Sequence, residues 1–150
     1  MPFIQPDLET FLHYLNKLDA STKPLWGKMN AQRMVEHLSD VIYMSTGTEQ
    51  FELLIPEEKV EKAKAWLASD KPMPKEFNVP FAPEEYILRN EELELAVDEF
   101  VDAWLVYEEY YASNPGKENL HPFYGYLNKV EWDRIHSKHF THHFEQFGLM

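Results

Sequence analysis

The 150-residue chain has no cysteine. Disulfides, thiolate ligands and a cysteine nucleophile are therefore excluded, and any transition metal must be held by imidazole, carboxylate or amide groups. Basic residues are scarce: fourteen Lys and Arg stand against twenty-six Asp and Glu, a formal net charge of −12. A surface this acidic repels nucleic acid and anionic membranes unless it carries a local basic patch, and the sequence has none. Lys59, Lys62 and Lys64 are interleaved with Glu57, Glu58 and Glu61, as on a solvated helix face of mixed charge. No apolar run approaches membrane-spanning length. Met1-Pro2-Phe3-Ile4-Gln5-Pro6 lacks the basic start and hydrophobic core of a signal peptide. These absences together point to a soluble, cytoplasmic protein with neither nucleic-acid nor membrane partners.

Aromatic residues, in contrast, are plentiful: ten Phe, eight Tyr and four Trp. Bulky side chains in that number suit a bundle with a substantial interior, and 150 residues suffice for one domain over 1–150 with a real core.

Helical punctuation runs along most of the chain. Asp7 can cap a first helix over 8–20, with Leu8, Phe11, Leu12, Leu15 and Leu18 on its stripe and His13 pointing away from it. Asn30 opens a second helix, 30–46, stopped by Gly47. Pro56-Glu57-Glu58 starts a short, highly charged helix near 56–69 that lies outside the core. Pro72, Pro74, Pro80 and Pro83 mark an extended connection whose Met73, Phe77, Val79 and Phe81 pack on the bundle. A third core helix, 90–112, carries Leu93, Val97, Phe100, Val101, Trp104 and Tyr111. After it, His121-Pro122-Phe123-Tyr124-Gly125 reads as a loop over one end of the bundle. The last helix spans 128–147 and closes at Gly148. The expected fold class is all-α.

Histidines carry the chemical signal. Met34, His37, Val41 and Met44 share one face of the second helix, so position 37 falls where an apolar residue is expected. A hydrogen-bonded core histidine is the plain reading of such a site; a metal ligand is the other. In the last helix, His139 and His143 lie four residues apart and offer two imidazoles to one point. Helical projection places them with Gln146 at the centre of a face that has His136 and His142 toward its edges. Protonated histidines interact favourably with the carboxyl end of a helix, which accounts for one or two of these four and not for the central pair. A third imidazole from another helix would complete a three-nitrogen site with room for water or substrate. Glu108 interrupts the stripe of the third core helix: it could orient a histidine or act as a base, or its head could simply reach water near the helix end. Gln146 is a weak amide donor one turn beyond the pair. Glu108 and Gln146 are therefore the two weak candidates for a catalytic role.

The run Trp26-Gly27-Lys28-Met29 with Met34-x-x-His37, then His121-Pro122-Phe123-Tyr124-Gly125, Trp132 and His139-x-x-x-His143-x-x-Gln146-Phe147-Gly148, resembles the DinB-like superfamily, and within it a branch of bacterial proteins. The resemblance extends from the first helix to Gly148, with residues 48–90 contributing little. It implies a four-helix bundle with a long crossover, to which the short helix near 56–69 would be peripheral. It also implies a divalent metal, most often zinc or nickel, held by one histidine of the second helix and two of the fourth: His37, His139 and His143. Extra histidines at 136 and 142 depart from the pattern, as does the elaboration at 48–69. Relatives of this type are frequently dimers and include thiol-dependent transferases, isomerases and hydrolases, so the resemblance defines a site better than a reaction.

A metal on three neutral imidazoles can activate water or bind a thiolate. Without cysteine in the chain, that thiolate would arrive on a low-molecular-weight thiol, and the expected partner is a small molecule, with a homodimer possible. Lys28, Arg33 and Arg134 are the basic residues available to meet its carboxylates, and Trp104, Trp132 and Tyr111 are the aromatics that could wall the pocket. The rival reading is a non-catalytic bundle whose metal site is structural or vestigial and which acts through protein partners.

Overall fold

Three helices of this protein begin with the same device. Asp7, Asn30 and Asn128 each place a side-chain oxygen on the backbone N–H three residues further on, at Thr10 (2.8 Å), Arg33 (2.8 Å) and Glu131 (2.9 Å). Each satisfies an amide that the first turn leaves without an intrahelical partner. At Asn128 the Glu131 carboxylate also accepts from the Asn128 N–H, completing a capping box. The computed structural model describes residues 3–48, 50–75 and 87–150. Over these, α1 spans Leu8–Leu15 and α2 Ala31–Ser45. A 3-10 turn at Glu57–Lys59 leads into α3, Val60–Ala68, and α4 runs Leu93–Ser113. A hairpin of β1 (Asn119–His121) and β2 (Gly125–Leu127) precedes α5, Lys129–Gln146.

The described residues are thus mostly helical, with one departure from the all-α expectation. The stretch read as a loop at 121–125 is the tip of an antiparallel hairpin, with a turn at 122–124, that pairs Asn119 with Leu127, Leu120 with Tyr126 and His121 with Gly125. Three residues per strand are too few to display an alternating pattern in sequence. The first helix also ends earlier than position 20. Beyond Leu15 the chain turns, and the Asp19 carboxylate accepts from the backbone N–H of Ser21 at 2.8 Å. Such local side-chain bonds compete with helix continuation. Leu18 stays buried all the same. Of the connection after α3, Met73 packs against the core, while Phe77, Val79, Pro80, Phe81 and Pro83 lie outside the described residues. No helix of the described residues is long and apolar enough to cross a membrane.

Phe11 shows how the interior is joined. Its ring meets Phe100 and Trp104 of α4 and Phe140 of α5 edge-on, at centroid distances of 5.8, 4.8 and 4.9 Å, an arrangement aromatic quadrupoles favour. α2 packs on both α4 and α5 and is buried on nearly every side, Glu36 included. That carboxylate accepts from the backbone N–H groups of Arg89 (2.7 Å) and Asn90 (3.1 Å). Burial pushes its pKa up, but the donated hydrogen bonds outweigh this and hold it below the usual carboxylate value. Asn90 and Arg89 in turn bond Glu99 of α4. The outcome is a polar staple that fixes the entry of α4 against α2.

Candidate metal centre

On the α5 side of α2, His37 lies between buried Met34 and Val41, and α5 presents His139 and His143 one turn apart. The Nε2 atom of His139 is 2.8 Å from that of His37 and 3.0 Å from that of His143. The three ligand atoms all lie within 4.8 Å of one another. His37, His139 and His143 are only 9, 8 and 7 % exposed. The three residues singled out in the sequence are therefore brought together, and the group could hold a metal ion.

Hydrogen counting shows how well the donor set fits a cation. The Trp26 carbonyl can only accept, so the Gln146 amide nitrogen, 3.0 Å away, donates to it. That orients Gln146 Oε1 toward His143 Nδ1 at 2.7 Å. An amide oxygen only accepts, so His143 carries its hydrogen on Nδ1 and its Nε2 is a bare lone pair. One hydrogen on His139 Nε2 cannot point at both neighbouring rings. Its other nitrogen, Nδ1, is buried with no hydrogen-bond partner among the described residues, with or without an ion on Nε2, so the Nε2 contacts alone favour a cation. Neutral imidazoles alone thus leave this cluster poorly satisfied.

A proton is a poor remedy. Burial, followed by the charges of Arg33 and His142, lowers the His37 pKa to about 4. Burial and the neighbouring imidazoles hold His139 and His143 well below the ordinary histidine value. At neutral pH the centre consists of three uncharged nitrogen ligands, the form that binds borderline divalent ions.

Two of the other candidates stay at the centre and the rest go elsewhere. Gln146 touches the centre through His143. Glu108 sits on α4 with its side chain 45 % exposed, 3.7 Å from the Lys129 ammonium, which is the water-facing reading. His136 is fully buried but faces away from the three, with Nε2 3.2 Å from Ser45 Oγ. His142 stays beside the centre, its ring 4.9 Å from that of His143. His121 ends β1 and braces the turn that follows: its Nδ1 accepts from the Phe123 N–H at 3.0 Å. Trp104 and Trp132 gather around His136, and Tyr111 donates to the Ser45 carbonyl, so none of these three walls the centre. Arg134 is also displaced from its expected place, donating to the Leu67, Ala68 and Ser69 carbonyls at the end of α3.

Two neighbours were not singled out from sequence. The Trp26 ring lies 5.7 Å from His142, and the Lys75 ammonium lies 4.6 Å from the Trp26 ring. Trp26 stood in the sequence only as part of a motif. Lys75 sits in a proline-rich connection with no periodicity to place it.

The chain belongs to the DUF1569 family of proteins of unknown function, whose family model matches residues 3–150. No curated protein and no solved structure matches the chain. Family membership brings no reaction with it.

Proposed function

We propose that this DUF1569 member is a DinB-like metalloprotein that acts on a small molecule through a divalent ion, zinc or nickel, held by His37, His139 and His143. The observation that carries the reading is the meeting of three imidazole Nε2 atoms from α2 and α5, with His37 and His139 separated by 102 positions in sequence. A DinB-type four-helix bundle is the fold reading that goes with it: α1, α2, α4 and α5 form the bundle and α3 sits in the long crossover.

A bound divalent ion supplies Lewis acidity, bringing a water or thiol toward its anionic form near neutral pH. The chain's own residues hold the ion and order its surroundings. Three protein nitrogens are the donor count of catalytic rather than structural centres. With no cysteine in the sequence, a thiolate reaching the centre comes from a low-molecular-weight thiol. Arg33, one turn before His37, and Lys75 beside Trp26 provide positive charge for its acidic groups. Thiol transfer to an electrophile and hydrolysis are the two reactions that fit.

The test is metal analysis of protein made without a histidine tag, then zinc and nickel titration of the wild type and His37→Ala. We expect one ion per chain, with tight binding lost in the variant and the helical circular dichroism retained. The reconstituted protein is next assayed for thiol conjugation and ester hydrolysis. A wild type that binds no more tightly than His37→Ala ends the metal reading. Tight binding without turnover of any substrate, in a protein whose melting temperature depends on the ion, transfers the site to a structural role.

A further inference from the structure

Gln146 is 5 % exposed and is engaged at both ends of its amide. Its nitrogen donates to the Trp26 carbonyl (3.0 Å) and its oxygen accepts from His143 Nδ1 (2.7 Å). Its backbone carbonyl also accepts from the Leu25 N–H at 2.6 Å. Turning the amide over would set oxygen against the Trp26 carbonyl, so a single orientation satisfies both contacts. Gly27 closes the arrangement: a Cβ at that position would stand 2.8 Å from Gln146 Nε2.

The geometry points to Gln146 as a positioning residue that, aimed by the Trp26 carbonyl, fixes His143 as its Nδ1–H tautomer and so presents the Nε2 lone pair to the centre. Residues 25–27, distant from α5 in sequence, thereby become part of the site. A histidine ligand whose far nitrogen is engaged in this way is held in both tautomer and ring orientation, and loss of such a partner typically costs 10–100-fold in metal affinity. The inference rests on the metal reading for its consequence, but the tautomer is a property of the metal-free chain.

Two variants separate the halves of the relay. Q146M keeps the volume and removes both contacts; Q146E keeps an acceptor for His143 and loses the donor to Trp26. The readouts are long-range proton–nitrogen correlation of the histidine rings in metal-free protein, and zinc affinity by chelator competition. Wild type should show a protonated Nδ1 and bare Nε2 at His143. Q146M should lose that preference and bind zinc roughly 10–100-fold more weakly, whereas Q146E should retain the tautomer and recover most of the affinity. Nε2–H at His143 in the wild-type spectrum overturns the assignment without any variant having to fold. So do an unchanged tautomer and affinity in Q146M, or equal losses in Q146M and Q146E, which would mark packing alone. If the wild type binds no divalent ion, the metal reading falls and the spectra alone decide the relay.

Discussion

Gly27 and Gly116 form a natural pair of controls at the scale of single residues. Both hold a left-handed backbone, with φ of 81° and 79°, where any other L residue is strained by roughly 1–2 kcal/mol. They differ in what surrounds them. Among the described residues a Cβ on Gly116 meets nothing within 4 Å, while one on Gly27 runs into Gln146 Nε2. Gly116→Ala should therefore lose only the backbone contribution, about 1 kcal/mol in urea unfolding. Gly27→Ala should lose more, since it also pushes Gln146 off the Trp26 carbonyl, and should weaken zinc binding as Gly116→Ala does not. Equal losses in stability and equal zinc affinities would mean that the contact at Gly27 has no consequence.

Among the elements, α3 shows most clearly what sequence could and could not reveal. Its existence and charged outer face were legible, because helix starts and mixed-charge faces are local patterns. What holds it down was not. Lys138 of α5 is only 1 % exposed, with Nζ donating to the Trp66 and Lys71 carbonyls at 2.8 and 2.9 Å and lying 3.9 Å from the Trp66 ring. With Arg134 it places positive charge and donors on carbonyls at and just beyond the end of α3. Lysine is ordinarily an exposed residue, so nothing in its neighbours' spacing announced this role. The same contrast holds for the centre. His37 and the His139–His143 pair stood out because they break apolar or helical expectation, whereas the Trp26 and Lys75 contributions depend on how irregular segments fold back. Lys138→Met should keep the packing of the stem yet take the ammonium donor from the Lys71 carbonyl and leave the Trp66 carbonyl to Ser69 alone, at a total cost of about 1.5–3 kcal/mol. Hydrogen exchange should locate that loss in α3, with zinc affinity unchanged. Faster exchange spread evenly through α5 and α2 would show that Lys138 supports the whole core instead.

Two opposing effects decide how the whole molecule responds to acid. A chain of net charge −12 relieves its self-repulsion as pH falls toward its pI near 4.9, which favours the compact state. Buried neutral histidines act the other way. His136 is enclosed by Trp132 and Phe140 faces and by Trp104 and Tyr107 edges. Burial, with smaller effects of His121 and Lys129, brings its pKa from 6.5 to about 3. Above pH 6.5 the imidazole is neutral folded and unfolded, so it adds no pH dependence. Between pH 6.5 and 3 only the unfolded chain takes up the proton, and stability falls on acidification by ~1.4 kcal/mol per pH unit. His121, lowered to about 3 by burial alone, adds a second such slope. Surface charges are screened at physiological salt and these interior groups are not, so stability should peak above pH 6.5 rather than near the pI. His136→Phe tests the assignment, because an aromatic ring fills the same cage without titrating. Its stability relative to wild type should rise by roughly 2 kcal/mol between pH 6.5 and 5, read from urea midpoints of metal-free protein. Parallel pH profiles for the two proteins would mean that His136 is protonated inside the fold and that the cage is wet.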